Sequence, residues 1–424
     1  MGAVSVSYGI RPLLSDTSML HSYFTLSELS LVQGINAAGV AALGLGCLVG
    51  SRALRRDAAR QSLHAYASDP QWRRKLRSMG LGLGTIAVLL YAYGLSNVGG
   101  FVEAYDSVKG GGRAASGYLR DFTLLAIPAI LLIFLGTRSP ISWRDRLYIA
   151  LFNAPLLLHG LLSARRGPTF MGIATLGIGW YYTRGKRPAI LSLGVAGSAV
   201  GFLLVMLLTF RGEIYLGSSF LTGEGPSIEE VISRSVEKQS ETSAGSEFVY
   251  GAYALLQAHE EGDHYWGTRY LTYVLVRPIP GFIWPTKYQD IGMQSLLVNA
   301  GTLGQSAQPQ ADVLREVPPG AAPGFVADLY VEFGYGAIVA AFFFGWLYGM
   351  LWRRALVQGG VWGVVYATSL VLSLYFVSQT VEAILFRFLV ICIPTVFLWQ
   401  YQARRYAPWA QMNATPNSIR LLSS

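Results

Sequence analysis

The sequence predicts an all-α protein of the polytopic membrane class: a helix bundle of about nine to eleven spanning helices with one large outer loop that contains short helices. Three observations carry this. Of 424 residues, 52% are hydrophobic and only 13% charged, about half the charge of an ordinary soluble domain, and the mean hydropathy is +0.39. The apolar residues gather in runs long enough to cross a hydrocarbon core. The basic residues gather in the connections between alternate runs. Such a composition argues against a soluble enzyme. The placement of the charges also turns the formal net charge of +9 away from nucleic acid as a partner.

The runs lie near residues 30–50, 79–98, 121–137, 147–164, 168–183, 189–210, 323–352, 361–380 and 383–402. Arg52, Arg55, Arg56, Arg60, Arg73, Arg74, Lys75 and Arg77 separate the first two. Arg138, Arg144 and Arg146 follow the third, Arg184, Lys186 and Arg187 the fifth, Arg353 and Arg354 the seventh, and Arg404 and Arg405 the ninth. Because basic connections stay cytoplasmic, each odd-numbered run ends inside. The N-terminus is then outside, the C-terminus cytoplasmic, and residues 99–120, 165–167 and 211–322 outside. Residues 1–25 contain Arg11, Asp16 and His21 without a continuous apolar stretch, so no cleavable leader is expected and the first span acts as its own signal. Three regions result: N-terminal spans over 1–210, an outer loop over 211–322, and C-terminal spans with a tail over 323–424.

In the outer loop acidic residues outnumber basic ones, and Pro278, Pro280, Pro285, Pro309, Pro318, Pro319 and Pro323 break its second half. Residues 227–240 read as one amphipathic helix opened by a capping box of Ser227 and Glu230, one of several short helices lying over the bundle. No internal repeat is visible, which weakens a transporter built of duplicated halves. Cys47 and Cys392 sit in apolar runs with no CxxC or Cys/His spacing, so they read as packed or lipid-facing residues. The many glycines suit close helix packing in lipid.

The usual catalytic signatures, GxSxG, Walker A and HExxH, do not occur, and neither a metal nor a cofactor is expected. The nearest metal-like string is His259-Glu260-Glu261-Gly262-Asp263-His264. Its histidines are five apart and Gly262 interrupts any helix, so it reads as a solvated turn, with His264 or one of its acids as a base in the alternative reading. More telling are cations at the outer boundary, where orientation does not require them. Arg165 and Arg166 form a turn between two spans, Arg211 ends the sixth and Arg387 stands early in the ninth. A cation at that depth needs an anionic partner or snorkels to headgroups. Several converging from different spans, joined by Arg277 and Lys287, point to a shared anionic ligand, and the guanidinium fork matches phosphate oxygens. The string Arg277-Pro278-Ile279-Pro280-Gly281-Phe282-Ile283-Trp284-Pro285-Thr286-Lys287 is stiffened by three prolines and carries an interfacial Trp284. It is either a rigid loop presenting Arg277 and Lys287 or a structural lid.

These strings have an order. Arg165-Arg166-Gly167 and Arg211 come first, then Tyr265-Trp266-Gly267-Thr268-Arg269-Tyr270, the Arg277–Lys287 string, and Asp328-Leu329-Tyr330-Val331-Glu332-Phe333-Gly334-Tyr335-Gly336. Over residues 160–350 this order resembles the Wzy-type O-antigen and polysaccharide repeat-unit polymerases of the bacterial inner membrane. Tyr288 stands where that family has a second proline, and Gly281 where it often has arginine. The resemblance implies a GT-C-like membrane glycosyltransferase. It would join undecaprenyl-pyrophosphate-linked oligosaccharides on the outer face, the acceptor hydroxyl attacking the anomeric carbon while lipid pyrophosphate leaves. Arg166, Arg211, Arg277, Lys287 and Arg387 would hold the pyrophosphate. Tyr265, Trp266, Tyr270, Trp284 and Tyr330 would contact glycan. Arg211 would stabilise the leaving charge, while Glu213, Glu247, His264 and Asp328 remain open as the general base. A flippase and a chain-length regulator are implied as partners beside membrane lipid. The alternatives are a ligase acting on the same carrier lipid and, in another class, a transporter of the lipid-linked oligosaccharide.

Overall fold

The computed structural model describes residues 23–52, 70–106, 119–137, 140–163, 166–184, 189–209, 246–279, 283–291, 323–373 and 375–413, with 229 and 233 besides. Among these residues the secondary structure is helical, without strands. The helices are α1 (Leu26–Ser51), α2 (Pro70–Ser96), α3 (Phe101–Tyr105), α4 (Ala126–Gly136), α5 (Trp143–Leu162), α6 (Arg166–Arg184), α7 (Ile190–Thr209), α8 (Ser246–Glu261), α9 (Thr268–Leu271), α10 (Lys287–Asp290), α11 (Phe325–Phe333), α12 (Ala337–Val357), α13 (Val361–Leu372), α14 (Tyr375–Ser378) and α15 (Val381–Asn413). A 3-10 turn at Leu119–Leu125 leads into α4, and a π-turn at Thr272–Val276 continues α9.

Each predicted run holds a helix, and the differences have local causes. The second helix starts at Pro70 rather than near 79, because its first turns are amphipathic instead of uniformly apolar. Trp72, Leu76, Met79 and Leu83 form a buried stripe at helical spacing while Arg74 and Lys75 carry charge. The seventh run is broken by a 3-10 turn at Gly334–Gly336, where Gly334 takes φ +55°. The eighth run is not one span: it stops at Leu372, and two helices share the residues that follow. By length and composition, four helical stretches of the described residues can cross a membrane: Leu26–Ser51, Pro70–Ser96, Phe325–Val357 and Val381–Arg404. Asp121–Gly136, Gly194–Leu203 and Val361–Leu372 are apolar but shorter.

Local signals set the ends. Thr25 and Glu28 close a capping box on α1, with Thr25 N–H donating to Glu28 Oε2 at 2.6 Å and Glu28 N–H to Thr25 Oγ1 at 3.3 Å. Ser142 caps α5 by accepting from Asp145 N–H, and Asp145 takes the Arg77 Nε of α2 at 2.6 Å. The core centres on α4, whose residues from Ala126 to Phe134 are all buried. An 11-residue helix that is apolar on every side belongs inside a bundle.

Around it, α2 and α4 run antiparallel, with Gly80 facing Ala129 and Ile133 while Gly136 faces Arg73 and Arg77. The helices α5 and α6 are likewise antiparallel, Gly160 facing Thr169 and Gly172 facing Asn153. In contrast α1 and α12 run parallel through two small-residue seams, Gly46 with Gly50 and Gly345 with Gly349. A Cβ at any of these four would strike backbone of the other helix, the close approach that a Gly-x-x-x-Gly spacing permits. Part of the region read as an overlying loop shares the same core: Phe248, Val249, Ala252, Leu255 and Leu256 of α8 are buried with Val326 and Leu329 of α11. The amphipathic helix expected at 227–240 lies outside the described residues except for Glu229 and Ser233, both helical.

Candidate functional site

Two arginine-centred clusters lie along the same two segments. One segment is α9 with its π-turn, and the other is the start of α15.

The first cluster gathers cations. Arg277 follows the π-turn directly, and its N–H reaches back five residues to Thr272 O at 3.0 Å, the widened turn that often marks functional positions. Arg387 stands on α15, and Asp121 on the 3-10 turn before α4. Arg387 Nε donates to Asp121 Oδ1 at 3.2 Å, and Arg277 Nη2 lies 4.0 Å from Asp121 Oδ2. Gln379 Oε1 accepts from Arg387 Nη1 at 3.4 Å. Each guanidinium also covers an aromatic ring. Arg277 stands 4.1 Å from the Tyr273 centroid and Arg387 4.7 Å from that of Tyr375, geometries that hold a planar cation by its face and leave its edge for hydrogen bonds. Tyr375 also packs against the first turn of α6, where a Cβ on Gly167 would stand 2.8 Å from its Cε1. The backbone of Arg166 and Gly167 is therefore brought to the same place; the Arg166 side chain lies outside the described residues. The side chains of Arg277, Arg387 and Asp121 keep 18%, 15% and 8% exposure. Two guanidiniums thus meet at one carboxylate in a mostly desolvated place.

Lys287 has a different task. Its Nζ donates to the carbonyl oxygens of Val276, Arg277 and Ile279, at and just past the end of the π-turn. The loop is thus tied back under Arg277. Burial, and then the charge of Arg277, hold the Lys287 ammonium below its ordinary pKa. Trp284 Nε1 donates to Asp290 Oδ2 at 2.6 Å, joined by Thr286 Oγ1 at 2.8 Å. Those two hydrogen bonds, Trp284 first, lower the Asp290 carboxyl pKa.

The second cluster gathers acids. Arg269 meets Asp328 Oδ1 at 2.6 Å, Glu332 Oε2 at 2.9 Å and Glu382 Oε2 at 3.8 Å. Asp328 Oδ2 accepts from Tyr270 OH at 2.9 Å and from Val381 N–H at 2.9 Å. Asp328 and Glu332 share one face of α11, as their four-residue spacing predicts. All four charged side chains are sealed, none more than 5% exposed. Burial opposes the charge on Arg269, yet Asp328 and Glu382 outweigh it and raise the guanidinium pKa above its ordinary value.

Beside this cluster, α8 ends at Glu261 and Gly262 turns the chain with φ +70°. The two histidines of the metal-like string both face Tyr330: His259 Nδ1 is 2.9 Å from its hydroxyl, and the His264 ring meets it edge-on with centroids 5.8 Å apart. Among the described residues no group of His, Cys, Asp and Glu has the placement of a metal site. Trp266 adopts φ +50°, an uncommon conformation for a bulky residue. Its N–H is fixed to Glu332 O at 2.8 Å, and its indole is 70% exposed.

Sequence reasoning thus placed Arg277 and Arg387 at one site, and the structure brings them together with the Arg166 turn. Arg211 and Glu213 lie outside the described residues, as does the Glu247 side chain. Of the expected glycan contacts, Tyr265, Trp266 and Trp284 retain exposed surface, whereas Tyr270 and Tyr330 are buried and hydrogen-bonded. Asp328, a candidate base, is sealed against Arg269. Sequence reasoning missed Asp121, Arg269 and Glu382. Asp121 and Glu382 were legible as acids at the margins of apolar runs, where a charge asks for a partner. Arg269 stood unassigned inside a quoted motif. No family model, curated protein or solved structure matches this chain.

Proposed function

We propose that the chain is a membrane glycosyltransferase that joins undecaprenyl-pyrophosphate-linked repeat units into a long polysaccharide on the outer face of the bacterial inner membrane. The observation that carries this reading is the meeting of Arg277 and Arg387 at the carboxylate of Asp121, beside the Arg166–Gly167 turn. In the proposed reaction the acceptor hydroxyl attacks the anomeric carbon, its proton leaves to a base, and the bond to the lipid pyrophosphate breaks. Charge grows on the departing pyrophosphate oxygen. Fixed guanidiniums in a poorly solvated place stabilise that charge without having to reorganise. Asp121 keeps the two cations from repelling one another before substrate arrives, and the rings of Tyr273 and Tyr375 fix their planes. The proposed glycan contacts are the exposed Tyr265 and Trp266 and the half-buried Trp284, and His264 is the proposed base closest to them in sequence. Lys287 supports the loop that carries Arg277.

The test is chain extension by the purified protein in nanodiscs, with lipid-linked repeat units as both donor and acceptor and no transmembrane gradient. A ladder of products from the native protein, lost in Arg387→Ala and Arg277→Ala variants that remain folded, supports the reading. A normal ladder from the Arg277→Ala/Arg387→Ala double variant removes the role given to the pair. Transfer to a different acceptor without extension would instead mark a ligase.

A further inference from the structure

The acid cluster around Arg269 remains without a task in this reaction. Asp328, Glu332 and Glu382 come from two helices and face one guanidinium in a region closed to solvent. Were all three ionised, two uncompensated negative charges would sit away from water, a large cost. The other titratable groups facing the cluster among the described residues are Tyr265 and Tyr270 on the α9 side, while Tyr330 of α11 turns instead to the two histidines. Behind Tyr330 stand His259 of α8 and His264 of the turn. Farther along α15, Arg387 is engaged by Asp121.

The three acids are not equivalent. Asp328 is satisfied as an anion, accepting from Arg269, Tyr270 and Val381 N–H. Glu332 accepts from Arg269 through Oε2 while its buried Oε1 has no hydrogen-bond partner. Glu382 is the most distant from the guanidinium, at 3.8 Å, and the buried oxygen it aims there also has no hydrogen-bond partner. We propose that this cluster is a buried proton-binding site and that Glu382 carries the proton, leaving Asp328 and Glu332 as the anions paired with Arg269. A protonated Glu382 halves the uncompensated charge and brings a donor into a cluster where Glu332 Oε1 has none. The site does not depend on the glycosyl-transfer reading, since it follows from charge and burial whatever the substrate.

The sign of the linkage is fixed by this arrangement. A proton held in the folded state but lost from the unfolded chain above about pH 4.3 makes stability fall as pH rises from mild acid until the folded carboxyl itself ionises. Infrared spectra and thermal midpoints of the native protein and Glu382→Gln in nanodiscs, taken across pH, test this. The expected result is a protonated-carboxyl stretch in the native protein at neutral pH that disappears in alkali and is absent from Glu382→Gln. The native midpoint should fall with rising pH, while that of Glu382→Gln should match it in mild acid, near the ordinary carboxyl pKa of about 4.3, and stay flatter and higher above. Asp328→Asn should lower the midpoint at every pH. The proposal is overturned if the stretch persists in Glu382→Gln, or if that variant fails to fold or loses as much stability as Asp328→Asn, because Gln is the neutral isostere. It is also overturned if the native midpoint follows sodium or potassium at constant ionic strength rather than pH, which would make the occupant a metal cation.

Discussion

In one cluster a single guanidinium serves three carboxylates; in the other, two guanidiniums share one. Both are built on the same pair of segments, Arg269 and Arg277 flanking the π-turn, Glu382 and Arg387 on the first turns of α15. Five residues along a helix is about 7–8 Å, so the two sites are near neighbours of opposite charge. The acid-rich one is sealed and joins α9, α11 and α15, which is the arrangement of a lock. In the cation-rich one the arginines keep some exposure and meet at one carboxylate, the arrangement on which the proposed pyrophosphate role rests. The ratio of charges and the access to solvent separate the two roles, since the residue types are the same.

This contrast is open to attack, and the largest effect is expected at the lock. Arg269→Ala would leave three carboxylates buried without their cation and should cost about 3–5 kcal/mol of stability, read as a lowered thermal midpoint in detergent. An unchanged midpoint would end the distinction drawn between the clusters. Next in size, Arg387→Ala should reverse the pattern, losing only about 1–2 kcal/mol with its hydrogen bond to a charged group while cutting chain extension about 10²–10³-fold. Arg387→Lys should recover part of that loss, since charge returns but the fork does not. Gly167→Ala tests the link between them and α6. The added methyl presses on Tyr375 and should cost about 1–3 kcal/mol and displace Arg387, lowering pyrophosphate affinity in a competition assay. The smallest structural effect belongs to Trp266→Ala, whose indole is mostly exposed. Its midpoint should move by about 0.5 kcal/mol or less while product chains shorten.

Sequence patterns reached far where the underlying physics is one-dimensional. Uniform apolar runs announce helices because a buried or lipid-facing helix needs no polar face, and that identified all of α1, α4 to α7, α12 and α15. The same reading failed at Pro70, where an amphipathic start hides Trp72 and Leu76 among arginines, and at Gly334, where a turn breaks an otherwise continuous run. The packing of Gly80, Gly160 and Gly46 sets α2 against α4 and α5 against α6 antiparallel and α1 beside α12 parallel, pairings that no pattern along the chain names. At the site, Arg387 was visible as a cation early in a span and Arg277 as one on the Pro-rich stretch of the outer loop, so both could be named. Their partner Asp121 stands far from both in sequence, and no spacing rule connects residues 121, 277 and 387.

Composition and charge placement by themselves pointed to a helical chain for a membrane and to most of its long apolar helices, and they singled out arginines for a proposed anion site. These follow from burial and helical period, properties of each segment alone. Only the tertiary structure decided which charge meets which. It gave Asp328 to Arg269 and so took it from the list of free bases. It also turned Lys287 onto backbone carbonyls and set two guanidiniums over one carboxylate. Ion pairing in a desolvated interior is a matter of a few ångströms between segments far apart in the chain, and that distance is fixed only when the helices pack.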